Sequence, residues 1–245
     1  MESGLKWWTV LKFFARLLAA PLARLIFRPR IIGRSNVPQR GPVLLASNHL
    51  SFIDSIVITL VAPRSVSFLA KADYFSGTGF KGWLSRSFFT SIGAVPVVRG
   101  AGQAAQESLD AGLGILNDGN AFAIYPEGTR SLDARLYRGR TGVAWLALTA
   151  KVPVVPVALS GTERLQPVGS RRIHLHRITV EFGAPLDLSR HGEAKSGRAR
   201  RHATDEVMAA IGRMSDQELA NMYNEPPAET IGERVRRVFR SPASL

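Results

Sequence analysis

A histidine five residues ahead of an aspartate, where an apolar run ends, marks a place in this 245-residue chain where acid–base chemistry could be done. The run is Pro42–Ser47 (PVLLAS), and it leads into Asn48-His49-Leu50-Ser51-Phe52-Ile53-Asp54. An imidazole at the end of a buried strand and a carboxylate in the first turn of the next helix can meet in space. The helix N-terminus favours ionised Asp54, which can hold one ring nitrogen while the other takes a proton. His49 is then a general base rather than a nucleophile. Taken alone, the same pair also fits a structural histidine.

A second apolar run, Ala121–Tyr125, ends in Pro126-Glu127-Gly128-Thr129-Arg130-Ser131. Gly128 permits a tight turn, and the turn offers backbone N–H groups, a hydroxyl and a guanidinium at one strand end. Arginine suits bidentate recognition of phosphate, and α/β folds bind ligands at the carboxyl ends of their strands. An ordinary β-turn with a surface arginine is the bland alternative. Two weaker elements are Gly93–Gly100 (GAVPVVRG), an apolar run closed by Arg99, and Val152–Gly161 (VPVVPVALSG), an apolar run rich in proline.

Several tempting patterns carry less. Gly77-Thr78-Gly79-Phe80-Lys81-Gly82 has the spacing of a dinucleotide loop, but it does not follow a strand directly and no acid lies about 20 residues on. His174 and His176 would share a strand face, yet no further ligands cluster near them, so no metal site is expected. There is no Gly-x-Ser-x-Gly elbow of the serine hydrolases.

The elements that must position these residues alternate. Predicted strands lie at 42–47, 66–70, 95–98, 121–125, 152–159 and 178–182, with predicted helices at 52–61, 80–89, 104–116 and 141–150. Leu109, Leu113 and Leu116 recur at helical spacing, and Gly119 supplies the stop. The fold class is α/β, a mixed and mostly buried sheet flanked by helices. Pro153 and Pro156 predict that their strand is an edge or carries a bulge. Ser189–His202 reads as an exposed basic loop, followed by a helix carrying Val207, Ile211 and Met214. The organisation expected is a membrane-associating segment over 1–29, an α/β unit over 30–188 and a basic extension over 189–245.

Charge and hydropathy narrow the partners. The chain has 32 Lys+Arg against 19 Asp+Glu, a net charge of +13, so an anionic partner is implied. Cysteine is absent, which removes disulfides, thiolate metal sites and thiol nucleophiles. Residues Trp7 to Phe27 are strongly apolar but interrupted by Lys12, Arg16 and Arg24, a poor pattern for a spanning helix. At about 100° per residue, Lys6, Lys12, Arg16 and Arg24 fall within an arc of about 120°, opposite Leu18, Leu22, Leu25 and Ile26. That is an interfacial helix, or two broken at Pro21, on an anionic membrane surface. A helix packed on the domain is the alternative, and a signal peptide fits less well because Arg16 breaks the apolar core.

In this order, the four blocks from Pro42 to Gly161 resemble those of the phospholipid/glycerol acyltransferase family, in particular its bacterial 1-acyl-sn-glycerol-3-phosphate (lysophosphatidic acid) acyltransferases. His49 and Asp54 match the family's His-x4-Asp block, and Glu127, Gly128, Thr129 and Arg130 match its Glu-Gly-Thr-Arg block. The family's downstream aromatic-Lys-x-Gly segment has Gly139-Arg140-Thr141-Gly142 as its nearest match, with arginine for lysine, which weakens any role for Arg140. The resemblance implies a glycerolipid acyltransferase-like fold and transfer of an acyl group from acyl-CoA or acyl-carrier protein to a lysophospholipid. It implies no tightly bound cofactor. By the same analogy His49 deprotonates the acceptor hydroxyl with Asp54 in support. Arg130, Arg99 and Lys71 hold the glycerol phosphate, Glu127, Gly128 and Thr129 shape the acceptor site, and the proline-rich strand lines the acyl region. Alternatives are another acceptor, such as glycerol 3-phosphate, or a non-catalytic protein that binds nucleic acid or anionic lipid. No recognised nucleic-acid-binding motif is present, so nucleic acid is not expected.

Overall fold

The computed structural model describes residues 27–97, 102–170 and 172–225. The expectation of an interfacial helix over 1–29 therefore lies almost entirely outside the described residues, and so does Arg99. Among the described residues, no helix is long and apolar enough to cross a membrane.

Alternating apolar runs and amphipathic stretches build one mixed sheet of seven strands. In chain order the elements are β1 (Arg30–Ile32), β2 (Val43–Ser47), α1 (Asp54–Val61), β3 (Val66–Lys71), α2 (Gly79–Ser91) and β4 (Ala94–Val97). Then come α3 (Gln103–Asn117), β5 (Ala121–Ile124), α4 (Gly142–Ala150), β6 (Val154–Ser160), the short α5 (Thr162–Leu165), β7 (Thr179–Phe182) and α6 (Gly197–Met214). The strand order is β1-β7-β6-β2-β5-β3-β4, with every pair parallel except β6–β7.

The central strand explains why its sequence is apolar at every position but the last. Val43 and Leu45 enter one core with α1, while Leu44 and Ala46 enter the other with α4 and α6. Side chains alternate across a strand, so a sheet covered on both faces needs apolar residues at both parities. Leu44 and Leu45 are wholly buried, and truncating either to alanine would cost about 2–5 kcal/mol. Gly119 stops α3 as its position predicts. It adopts φ 77°, its N–H bonds to the Leu116 carbonyl, and the next N–H, of Asn120, reaches back to Ile115.

Three expectations need correction. The strand with Pro153 and Pro156 is interior, between β2 and β7. Proline is tolerated because Pro156 turns its hydrogen-bonding edge toward the β7 side, where its carbonyl accepts from Gly183 N–H. There the facing chain takes four steps, Phe182 to Leu186, against three on β6, Val157 to Val154. The bulge thus lies opposite the proline and no ladder bond is lost. The basic stretch is also shorter than expected: α6 begins at Gly197, capped by the Ser196 hydroxyl, which accepts the Ala199 N–H. Ala199, Ala203, Val207 and Ile211 face inward, and the arginines between them lie on a helix and not in a loop; Arg201 is half-buried, donating to the Gly139 carbonyl. Finally, His174 and His176 lie in irregular backbone and not on a strand. The three-residue β1 escapes sequence reading because it is defined only by pairing with β7.

Candidate active site

Parallel pairing of β2 and β5 brings the two reactive blocks together. The register runs from Val43↔Ala121 to Ala46↔Ile124, so both strands emerge side by side at one edge of the sheet. Three residues beyond each end lie His49 and Glu127, and they keep that register: Glu127 Oε1 accepts the His49 backbone N–H at 3.0 Å. Glu127 Oε2 accepts the Tyr137 N–H at 2.9 Å, and the His49 carbonyl accepts the Ser131 N–H at 2.8 Å. Glu127 is completely buried. Burial pushes its carboxyl up to about 7, opposed by the two backbone donors and reinforced by the negative charge of Asp54. It is a clamp on the backbone that carries His49, and it does not line the cavity where substrate could sit.

The imidazole itself is held on two sides. His49 Nδ1 lies 2.8 Å from Asp54 Oδ2, and Asp54 is fully buried at the first residue of α1. The same oxygen accepts the backbone N–H groups of Leu50 and Ser51 at 2.7 and 2.8 Å, so three donors converge on one carboxylate oxygen. With Asp54 accepting, the proton sits on Nδ1 and Nε2 is left as the basic nitrogen. The Tyr125 ring stacks on the imidazole at 3.9 Å between centroids, nearly parallel, and its hydroxyl lies 2.6 Å from Ser55 Oγ.

His49, Ser55, Tyr125, Thr129 and Arg130 line one cavity of about 190 Å³, whose far wall is apolar: Phe52, Phe68, Leu69, Tyr74, Phe89 and Ile92. Among the described residues, buried Arg130 Nε has no hydrogen-bond partner, so a donor stands ready for an acceptor. Gly128 has φ 80°, and a Cβ there would meet the Arg140 side chain at 3.0 Å. Arg140 is tied down structurally, its N–H to the Pro126 carbonyl and Nη2 to Asn224 O. Lys71 ends β3, exposed and ion-paired with Asp73, and it does not line this cavity. A larger cavity of about 350 Å³ lies between β7 and α6, with Pro156, Phe182 and Met214 in its lining, but no histidine borders it.

Sequence reasoning missed the groups that back the site from a distance. Asn48 is buried, and its amide pairs with both backbone groups of Leu159 while Nδ2 also donates to Gln217 Oε1 at 2.6 Å. The segment after α6 returns across the site: Leu136 N–H bonds Glu218 O, Ala220 N–H bonds Leu136 O, and Asn224 Nδ2 reaches Thr129 O. No local signal marks Gln217 or Asn224. Tyr125 did have one, since it is the aromatic last residue of the predicted strand.

A histidine–aspartate pair and an arginine-bearing turn meet at the same edge of an α/β sheet, a geometry that can take up a proton beside an anion. Residues 28–160 match the Acyltransferase family model, more than half of the chain, and the chain belongs to this family. A chloroplastic 1-acyl-sn-glycerol-3-phosphate acyltransferase of Brassica napus is 32% identical over 72% of this chain and 52% of its own. The enzyme of the same name from Saccharomyces cerevisiae is 29% identical over 81% of this chain and 64% of its own. The chain spans about half the length of the plant relatives it matches. The crystal structure of the 1-acyl-sn-glycerophosphate acyltransferase PlsC from Thermotoga maritima has the same fold. Its TM-score is 0.61 at 20% identity, over 85% of this chain and 87% of that one.

Proposed function

We propose that this protein transfers a fatty acyl group from acyl-CoA or acyl-carrier protein to the free hydroxyl of 1-acylglycerol 3-phosphate, forming phosphatidic acid for phospholipid biosynthesis. The observation that carries the reading is the His49–Asp54 contact at 2.8 Å in the same cavity as an Arg130 Nε that lacks a partner among the described residues. The names of the relatives point to the same acceptor.

His49 Nε2 takes the hydroxyl proton as that oxygen attacks the thioester carbonyl. The new ester C–O bond forms, the C–S bond breaks, and the imidazolium returns its proton to the leaving thiolate. Asp54 fixes the tautomer and stabilises the imidazolium. Arg130, with Thr129 beside it, holds the acceptor phosphate, and Arg99 adds a second cation to it. The apolar wall receives the start of an acyl chain. No tightly bound cofactor or metal takes part in this scheme. Residues 1–29 attach the protein to an anionic membrane surface on the cytoplasmic side, residues 30–188 form the catalytic unit, and 189–245 extend it.

The test is an acyl-transfer assay with purified full-length protein, crossing lysophosphatidic acid, glycerol 3-phosphate and other lysophospholipids with CoA and carrier-protein donors. His49→Ala should lower turnover by on the order of 10²–10⁴ with the fold intact. A folded His49→Ala variant with near-normal activity refutes the mechanism. Salt-sensitive nucleic-acid binding without transfer would favour a binding protein instead.

A further inference from the structure

One wall of the active-site cavity is also an exposed apolar surface. Helix α2, GFKGWLSRSFFTS, buries Gly82 and Phe89 on its inner side. A Cβ on Gly82 would meet the Gly77 carbonyl oxygen at 2.0 Å, so the helix is seated directly on backbone there. Phe89 stacks on Tyr74 at 4.6 Å and lies 6.4 Å from Phe52, and all three line the cavity that holds His49. On the opposite side Phe80 is 75% exposed and Leu84 54%, with Trp83 and Phe88 exposed beside them. At about 100° per residue these four span an arc of about 140° that contains no charged residue, with the small, buried Ser87 between Trp83 and Phe80. Lys81 and Arg86 border it, and the thirteen residues include no acid. Phe52, itself exposed, carries the apolar surface from the helix to the cavity.

We propose that α2 docks on a lipid surface, with Phe80, Trp83, Leu84 and Phe88 entering the headgroup and acyl boundary of an anionic bilayer. Four large apolar side chains in one uncharged arc form a patch that water does not favour. Aromatic residues bordered by cations, without acids, match the composition of an interfacial helix on anionic lipid. The charged groups that border the arc on the helix are both cations, Lys81 and Arg86, which suits an anionic lipid surface. Continuity with the cavity gives the docking a use. A lipid acceptor can pass from the bilayer over Phe52 to His49 without its chain crossing water. This site is separate from the segment at 1–29 and holds whether or not that segment also binds.

The primary test reads α2 directly and does not depend on acyl transfer. Full-length protein carrying W7F, W8F and W145F keeps Trp83 as its one tryptophan. Its emission should shift to the blue and lose more than half its intensity with phosphatidylglycerol vesicles brominated in the acyl chains. Phe80→Glu with Leu84→Glu in the same background should abolish both changes. Trp83 emission that is unchanged by vesicles overturns the proposal, including the case in which residues 1–26 already cover this face. Should the tryptophan replacements impair folding, the Phe80→Glu, Leu84→Glu pair is tested with the tryptophans intact. This second arm rests on the acyltransferase reading. It expects at least a tenfold loss on a vesicle-borne acceptor and no loss on a soluble short-chain one; equal effects on both overturn the docking, while failure of the unsubstituted protein to acylate either acceptor counts against the functional reading alone.

Discussion

Asp54→Asn isolates the electrostatic part of the catalytic pair, because the fold already satisfies the atoms around it. Asp54 Oδ2 accepts three donors, from His49 Nδ1, Leu50 N and Ser51 N, whereas Oδ1 is buried without a partner among the described residues. An asparagine placing its oxygen at the Oδ2 position keeps all three bonds and puts its NH2 where nothing competes. The opposite orientation would set an N–H2 against three N–H donors and is excluded. The backbone turn and the ring position therefore survive, and what is lost is the negative charge facing the imidazolium as it forms. Two unit charges about 4 Å apart attract by roughly 4 kcal/mol at an effective dielectric of 20. At about 1.4 kcal/mol per decade that is on the order of a 10³-fold fall in kcat. Asp54→Ala is the contrast: it also strips two buried backbone N–H groups of their acceptor, at about 1–3 kcal/mol each, so stability falls as well as rate. The assay is steady-state acyl transfer with thermal unfolding of the same preparations. Asp54→Asn within tenfold of the unsubstituted protein, or a melting loss equal to that of Asp54→Ala, refutes the reasoning.

Three further outcomes are expected. Arg130→Ala removes a charge-assisted hydrogen bond of about 1.5–3 kcal/mol, so kcat/KM for a phosphorylated acceptor should fall roughly 10- to 100-fold while the donor's KM changes little; equal damage to both substrates would reassign the arginine. Glu127, with a carboxyl near 7 against 4.5 unfolded, holds an extra proton in the native state between those values. Its contribution therefore makes stability fall as pH rises from about 4.5 to 7, by roughly 3 kcal/mol in all, and Glu127→Gln should flatten that slope in urea titrations at pH 5 and pH 8. An unchanged slope would mean that another group governs it. Tyr125→Phe keeps the ring on His49 and removes the hydroxyl that contacts Ser55, whereas Tyr125→Leu loses a stacking interaction of about 1 kcal/mol. The leucine variant should therefore be the slower of the two in kcat at similar melting temperature, and identical rates would remove Tyr125 from the positioning of the base.

The sequence by itself determined the local features. Burial on both faces of a strand demands apolar residues at every position, so β2, β5 and β6 were legible from composition. The five-residue step from His49 to Asp54 predicted their contact because a strand end and a helix start leave few ways to connect them. Gly119 announced the end of α3 through the left-handed conformation it adopts. Strand order was not legible, because hydropathy records that a strand is buried and not which strand lies beside it. That is why the strand with Pro153 and Pro156 read as either an edge or a bulged strand; it lies inside the sheet, and a bulge in the chain opposite makes the missing donor harmless. Tertiary structure alone decided that Glu127 clamps two backbones and does not touch the cavity, and that Lys71 faces Asp73 and solvent. It also decided that Gln217, 168 residues from His49 in sequence, supports the neighbouring Asn48. The placements of Glu127 and Gln217 depend on hydrogen bonds between segments far apart in the chain. Such partners are chosen by the packing of the whole sheet, and neither residue carries a local sign of the other.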